Sequence, residues 1–290
     1  MAINLDKLKF SLEGLDIQLD GKMELLHAVE AIQKEVRDLE FKYERISRDK
    51  STLYTLLNRT TEDLEEAMRL LEIEKGKSER LLLNILPSAI ADQLKLKEDI
   101  IADIFPEVSL LFADIVNFTP MSTQLPPGDL IIMLNNVFSA IDELAEKHKL
   151  EKIKTIGDAY MVVGGLPTPR SDHAEAIADM ALDIQDIISN FKRPNGDPLV
   201  MRIGIHTGPV VAGIIGKKKF SYDLWGDTVN TASRMESHSL CGKIQATTET
   251  YEKLKGQYNF EKRGIIDVKG KGEMTTYFLK DRKKIEVGMN

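Results

Sequence analysis

The sequence predicts an α+β domain, in which helices pack on a mixed β-sheet, preceded by one long helix. Residues 22–86 contain no proline and are rich in Leu, Glu, Lys and Arg, which favours a helix. Residues 105–282 alternate between short apolar runs and amphipathic stretches, which is typical of a layered α/β architecture. The Gly157-Asp158 dipeptide between two apolar runs indicates a hairpin, so the sheet contains antiparallel strands.

The long helix carries a heptad pattern in its first half. Apolar residues follow one another at alternating steps of four and three, at Leu25, Val29, Ile32, Val36, Leu39, Tyr43 and Ile46. One interpretation is an amphipathic helix packed on its own domain. The interpretation that we favour is a parallel coiled coil between two chains, because no other predicted helix is long enough to cover the seam. Pro87 ends or kinks this helix.

These patterns divide the chain into five parts. They are an N-terminal segment 1–21, a coiled-coil dimerisation and transmitter helix 22–86, a linker helix 87–104, a compact domain 105–282 and a C-terminal tail 283–290. In the compact domain, strands are predicted at 108–113, 153–156, 159–163, 201–206 and 210–214, helices at 130–147, 173–191 and 227–237, and a strand-rich hairpin at 268–280.

Composition excludes several classes of function. The 290 residues include 39 Lys and Arg against 46 Asp and Glu, a formal charge of -7, so nucleic acid is not an expected partner. Cys241 is the single cysteine, which rules out an intrachain disulfide. Residues 1–20 lack the apolar core of a signal peptide, and no apolar run reaches the roughly 20 residues of a transmembrane helix. We expect a cytoplasmic protein.

Two aspartates stand where neighbouring strands end. Asp114 directly follows an apolar strand, and Asp158 lies at the tip of the predicted hairpin. Carboxylates so placed hold Mg²⁺ or Mn²⁺, which prefer oxygen ligands and keep substrate phosphates in their shell. The alternative is an ordinary turn aspartate and a strand-end cap. Taken alone, the pair indicates phosphoryl or nucleotidyl transfer and leaves open a cyclase, a polymerase palm or a cyclic-di-nucleotide synthase.

Five segments in order resemble class III nucleotide cyclases, the adenylate and guanylate cyclase family. They are residues 112–119 (FADIVNFT), 154–160 (KTIGDAY), 202–208 (RIGIHTG), 225–236 (WGDTVNTASRME) and 268–272 (VKGKG). The resemblance covers roughly residues 108–279 and implies a ferredoxin-like or palm-like sheet with flanking helices. It implies two Mg²⁺ or Mn²⁺ ions per active site, bound by the side chains of Asp114 and Asp158 and the backbone of Ile115. The triphosphate would lie along the backbone of Asn117, Phe118 and Thr119.

The resemblance also assigns the base-reading residues. Adenine offers an acceptor at ring N1 and a donor at the exocyclic N6, so its pocket needs one donor and one acceptor side chain. Lys154 and Asp223 fit this need and fit guanine badly. In guanylate cyclases the corresponding residues are usually a glutamate and a cysteine, so the resemblance favours ATP as substrate.

The remaining roles concern the ribose and the phosphates. Asn230 would position the ribose, and Arg234 would hold the α-phosphate as charge develops on it. Lys269 would neutralise the β- and γ-phosphates, with Lys271 as an alternative two residues away, and Arg202 would assist from the side that carries the metals. In this family the metal aspartates and the nucleotide-contacting residues come from different chains, so a homodimer is expected.

The predicted function is therefore an adenylate cyclase that makes 3′,5′-cyclic AMP and pyrophosphate by two-metal catalysis at a homodimer interface. Two alternatives remain: a guanylate cyclase, and a non-catalytic dimerisation module with a cyclase fold. Such modules typically lack one metal aspartate or the Asn/Arg pair, and this sequence retains all four. The coiled coil would transmit a signal from an upstream sensor domain or regulatory partner.

Overall fold

The structure, a computed structural model, describes residues 4–15, 19–96, 102–215 and 220–284. The chain forms two compact units, Met1–Glu79 and Arg80–Asn290. Residues 1–3 and 16–18 of the predicted N-terminal segment, 97–101 of the predicted linker and 285–290 of the predicted tail lie outside the described residues.

The first unit consists of helix α1 (Leu5–Glu13) and most of helix α2 (Leu19–Leu83). The Lys9 ammonium lies 2.6 Å from the Glu30 carboxylate, and Val29 is buried. The other residues of the heptad seam, by contrast, are exposed in the single chain: Leu25, Ile32, Val36, Leu39, Tyr43 and Ile46. Among the described helices, none combines the length and the apolar composition needed to cross a bilayer.

The second unit begins at the end of α2. Helix α3 (Ser88–Leu96) starts directly after Pro87, which cannot continue the preceding helix. Ile90 and Ala91 of α3 are buried against Leu110 and Phe112 of the first strand of the sheet. The start of the domain is therefore packed on the sheet itself.

The described residues form one mixed sheet. Its strands are β1 (Ala102–Ile115), β2 (Glu151–Ile156), β3 (Ala159–Gly164), β4 (Met201–Ile215), β5 (Ser221–Trp225), β6 (Ile244–Thr247), β7 (Tyr258–Val268) and β8 (Gly272–Arg282). The order is β2-β3-β1-β4-β6-β8-β7, and β5 pairs with β4 beside this path. Only the β4–β6 pairing is parallel among the pairings of described strands. The predicted α+β fold class is confirmed.

Helices cover both faces of the sheet. They are α4 (Phe118–Ser122), α5 (Pro127–His148), α6 (His173–Ile188), α7 (Asp227–Ser237) and α8 (Thr248–Leu254). Side chains alternate along β1, so Leu111 and Ala113 join the core beneath α5 and α6, while Leu110 and Phe112 face α3 and α7. Because β1 is buried on both faces, its last residues are held in a fixed position.

The sheet differs from the prediction in three ways. Strand β1 begins at Ala102, so residues 102–104 of the predicted linker helix 87–104 are strand, because they pair with β4. Strands β5, β6 and most of β7 were not predicted, and two predicted strands are joined in one. Residues 201–206 and 210–214, predicted as separate strands, form the single strand β4. Pro209 interrupts the apolar pattern and lacks an N–H donor, but it lies opposite a bulge in β1, where the register shifts between Phe105 and Val108. The bulge contains Pro106, so both prolines lie where the ladder is already broken.

Candidate active site

Asp114 and Asp158 are brought together by strand register. Asp114 belongs to the last residue pair of the β1–β3 ladder and lies opposite Ala159, the residue that follows Asp158. Gly157 adopts φ +64°, a left-handed conformation that lets the β2–β3 turn present Asp158 beside the end of β1. Burial, followed by the negative charge of Asp114, raises the pKa of Asp158 to about 6. The two carboxylates therefore share one partly buried edge of the sheet.

Arg202 adds a positive charge at the same edge. It stands opposite Asp114 in the β1–β4 ladder, and its Nη2 donates to Asp114 Oδ2 at 2.7 Å. The family resemblance assigns Arg202 to the triphosphate, whereas in the structure its guanidinium is bonded to Asp114, a predicted metal ligand. The assignment to phosphate stays a prediction.

Glu236 is a site residue that sequence analysis did not single out. Its Oε1 lies 3.2 Å from Arg202 Nη2, and the side chain is only 8% exposed. Burial, and then the charge of Asp114, raises the pKa of Glu236 to about 7. Glycine at 204 permits this contact, because a Cβ there would stand 1.9 Å from the Glu236 backbone nitrogen. The available signal was the position of Glu236 at the end of a motif that was already recognised.

The donor set at this edge suits a hard divalent cation that is shared with substrate. No group of three or more His, Cys, Asp or Glu side chains suitable for a metal occurs within the described ranges. Two carboxylates and a neighbouring backbone carbonyl are a sparse set, and Mg²⁺ characteristically uses one or two carboxylates and completes its shell with waters and phosphates. Burial, and then repulsion from Asp114, raises the pKa of Asp158, and a cation bound between the two carboxylates would relieve that repulsion. The residues present fit such an ion.

Lys154 and Asp223 meet, although 69 positions separate them. The Lys154 ammonium of β2 donates to Asp223 Oδ2 of β5. Asp223 Oδ1 accepts the backbone N–H of Leu224 at 2.9 Å, which fixes the carboxylate. The side chains retain 37% and 20% of their exposure, so the donor and the acceptor remain reachable by a ligand.

Asn230 and Arg234 lie one turn apart on α7 and share a face. Asn230 is exposed and Arg234 half-buried, and neither side chain has a bonding partner among the residues that the structure describes. Glu236 follows Arg234 by two residues, about 200° further round the helix. Since Glu236 faces Arg202 and Asp114, the face with Asn230 and Arg234 points away from the metal ligands of its own chain.

The two lysines of the β7–β8 turn differ in whether they form an ion pair. Lys271 forms an ion pair with Asp227, the first residue of α7. Lys269 is exposed and has no ion-pair partner in the described part of the chain. Lys269 is thus the more available of the two for a phosphate.

Residues 117–119 follow closely after Asp114 and Ile115, the predicted metal ligands of β1. Asn117 has a left-handed backbone, with φ 57° and ψ 35°, and α4 begins at Phe118. Asn117 and Thr119 are exposed, while Ile115 is buried. The chain reverses direction just beyond Asp114, and the assignment of this backbone to the triphosphate stays a prediction.

Residues 100–281 match the family model of the adenylate and guanylate cyclase catalytic domain. The chain belongs to this family. The resemblance predicted from the five motifs is confirmed. The predicted bounds of the compact domain, 105–282, stay a prediction. A second model, described as heme NO binding associated, matches residues 30–94.

Relatives of this chain include both adenylate and guanylate cyclases. An adenylate cyclase of Mycobacterium tuberculosis is 50% identical over 222 residues, 76% of this chain and 50% of the relative. The human guanylate cyclase soluble subunit beta-2 is 45% identical over 225 residues, 77% of this chain and 36% of the relative. The chain thus spans about half the length of the first relative and less of the second.

Solved cyclase structures share the fold. The guanylate cyclase domain of RhGC from Catenaria anguillulae, in complex with GTP, has a TM-score of 0.61 at 40% identity and covers 62% of this chain and 100% of its own. The adenylyl cyclase CyaB of P. aeruginosa has a TM-score of 0.60 at 29% identity and covers 65% of this chain and 100% of its own. The catalytic domain of this chain therefore has the cyclase fold.

Proposed function

We propose that this nucleotide cyclase is an adenylate cyclase, which converts ATP to 3′,5′-cyclic AMP and pyrophosphate. The observation that carries the proposal is the contact between Lys154 and Asp223. An ammonium can donate to adenine N1, and a carboxylate can accept from the N6 amine. Guanine presents the opposite polarity, with N–H at N1 and a carbonyl at C6, so a fixed Lys-Asp pair disfavours it.

The active site is proposed to form between two copies of the chain. Asn230 and Arg234 point away from the aspartates of their own chain, so a second chain has to supply them to a shared site. The exposed heptad seam of α2 supports the same state, because a parallel coiled coil would cover its apolar residues. Two-fold symmetry would then create two equivalent sites.

Each group in the proposed site has a distinct task. Asp114, Asp158 and the carbonyl of Ile115 would hold two Mg²⁺ or Mn²⁺ ions. Such ions, when bound, acidify a coordinated hydroxyl and screen phosphate charge. Arg202 donates a hydrogen bond to Asp114, and Glu236 lies beside the Arg202 guanidinium.

The partner chain would act on the nucleotide. Asn230 orients the ribose so that its 3′-oxygen lies in line with the α-phosphorus, the geometry that attack requires. Arg234 stabilises the charge that develops on the α-phosphate, and Lys269 stabilises the leaving pyrophosphate. The new bond joins the 3′-oxygen to the α-phosphorus, and the bond to the bridging oxygen of the pyrophosphate breaks.

We also propose that α2 transmits a regulatory signal. Its residues fall largely within the segment that matches the heme NO binding associated model, which favours input from a sensor region or a regulatory partner. A change in the register of the coiled coil would alter how the two catalytic domains face each other, and a misplacement of about 1 Å across the site is enough to reduce the rate strongly.

The experiment is cyclic nucleotide production by the purified chain, with ATP and GTP offered separately and with Mg²⁺ and Mn²⁺ compared. We expect cyclic AMP from ATP. The double substitution Lys154→Glu with Asp223→Cys should shift the ratio of kcat/KM for ATP over GTP by about a hundredfold toward GTP. Lys262→Glu, at an exposed lysine of β7, is the control for charge reversal. An unchanged ATP preference in the double variant would contradict the assignment of Lys154 and Asp223 to the base.

A further inference from the structure

A cavity of about 650 Å³ lies within the second unit, beside β2 and β5, the strands that carry Lys154 and Asp223. Its walls come from the turn between α2 and α3, from α5, from β2 and β3, and from β5. The volume is within the range of small-molecule sites. None of the residues assigned above to metal, ribose, base or phosphate contributes to the lining.

Two residues that line the cavity are adjacent in sequence to Lys154 and Asp223, the proposed base-reading pair. Ile153 and Tyr222 line the cavity, and each directly precedes one member of the pair, Lys154 and Asp223. Ile153 occupies a bulge, since the β2–β3 register shifts between Lys152 and Lys154. A ligand that presses on Ile153 and Tyr222 would therefore act on the backbone that positions Lys154 and Asp223.

Two polar groups in the cavity have no partner within the described residues. The Tyr222 hydroxyl is buried without a hydrogen bond, in a side chain that is 5% exposed. The Glu151 carboxylate accepts no hydrogen bond and forms no ion pair, and its burial raises its pKa to about 7. Leaving the buried Tyr222 hydroxyl unmatched is unfavourable, and the partly buried Glu151 carboxylate would gain from a cationic partner.

The neighbouring carboxylate shows the opposite situation. Asp142 Oδ1 lies 2.7 Å from the Lys152 ammonium and accepts from the Tyr160 hydroxyl at 2.6 Å. Its charge is therefore matched by the protein. The cavity carries three carboxylates, those of Asp142, Glu146 and Glu151, against the single ammonium of Lys152, so the unmatched charge in it is negative.

We propose that this cavity binds a small organic cation, an ammonium or guanidinium compound with a short apolar body. The cationic head would pair with Glu151 and engage the Tyr222 hydroxyl. The apolar body would contact Leu86, Leu150 and Ile153, which also line the cavity. Binding stabilises the strands beside Lys154 and Asp223 and lowers the KM for ATP, and this last consequence rests on the proposed function.

The test is isothermal titration of the full chain with phenethylamine at pH 8, where the Glu151 carboxyl is ionised. 2-Phenylethanol, of the same shape but neutral, is the matched probe. We expect phenethylamine to bind and 2-phenylethanol not to bind. Glu151→Gln should weaken phenethylamine by at least about tenfold, and Tyr222→Phe by a smaller factor. Glu143→Gln, at an exposed glutamate of α5 outside the cavity, should leave binding unchanged.

Several results would overturn the site. The first is equal binding of the amine and the alcohol. The second is full affinity for the amine in a Glu151→Gln variant that is folded. The third is amine binding that disappears as the protein dimerises, which would show that a second copy covers the cavity. The titration requires no turnover, so it stands apart from the proposed function. Amine binding with no change in the KM for ATP would keep the site and overturn its coupling to Lys154 and Asp223.

Discussion

The proposed metal half and the proposed nucleotide half of the candidate site differ in how their charges are paired within one chain. Asp114 is bonded to Arg202, and Arg202 lies beside Glu236, so the metal half is a connected and partly buried network. Asn230, Arg234 and Lys269 have no side-chain partner in the described ranges and lie at or near the surface. One half is organised by its own fold, and the other leaves its charges unpaired, as the proposed contact with a nucleotide held by a second chain requires.

Lys154 and Asp223 form an intermediate case. They pair with each other while remaining partly exposed. In the proposed role, nucleotide binding would exchange this ion pair for contacts to a base. Such an exchange favours selectivity over affinity, because a base of the wrong polarity breaks the pair without replacing it.

The largest effect is expected at the metal half. Asp114→Asn removes one of two carboxylates from the proposed metal site and should lower the rate of cyclic AMP production by about a thousandfold, several kcal/mol of lost charge stabilisation. Asp267→Asn, at an exposed position of β7, is the matched control and should retain parental activity. Circular dichroism would verify folding, and parental activity in Asp114→Asn would refute the metal assignment.

A smaller effect is expected at Glu236, the carboxylate on the other side of Arg202 from Asp114. Glu236→Gln removes the charge beside Arg202, so the guanidinium acts more fully on Asp114 and competes with the metal. We expect the Mg²⁺ concentration for half-maximal activity to rise about fivefold, with the KM for ATP at saturating Mg²⁺ little changed. Glu273→Gln, exposed on β8, is the control. An unaltered Mg²⁺ dependence would remove Glu236 from the site.

The smallest effect lies outside both halves, at Glu151. Burial raises the pKa of its carboxyl from 4.5 to about 7, so the folded state binds a proton more tightly than the unfolded state does. Stability from this group is present below about pH 4.5 and is lost as the pH rises through 7. Glu151→Gln abolishes that loss. The free energy of unfolding of the variant minus that of the parent should therefore be about 1 kcal/mol larger at pH 8 than at pH 5, after allowance for solvent screening.

Urea denaturation at both pH values measures this difference. The double comparison cancels any cost of the substitution that is independent of pH. A difference between variant and parent that stays constant from pH 5 to pH 8 would show that Glu151 titrates at an ordinary pKa.

Local pattern was sufficient for much of the metal half. The apolar run before Asp114 and the Gly157-Asp158 turn indicated two strand ends, and both aspartates lie at the same edge of the sheet. The roles of Lys154 and Asp223 came from the family resemblance, since nothing in the spacing of two residues 69 positions apart indicates a contact. The long helix was evident from composition, and its bounds differ by three residues at each end from those predicted.

Contacts that depend on register and close packing could not be read from the sequence. The bond from Arg202 to Asp114 requires the β1–β4 register, and the position of Glu236 requires the close approach that Gly204 permits. Strands β5 and β6 are too short to show a period, and β4 was divided because the effect of Pro209 depends on a bulge in a different strand.

The most direct test of the shared site is complementation between two inactive variants. Asp114→Ala disables the metal half and Arg234→Ala the nucleotide half, so each homodimer alone should be inactive. Mixed after co-refolding or co-expression, they should recover roughly a quarter of the parental rate, because half of the dimers are mixed and each mixed dimer has one intact site. A mixture that contains mixed dimers, verified with two affinity tags, and shows no recovered activity would contradict the division of the site between two chains.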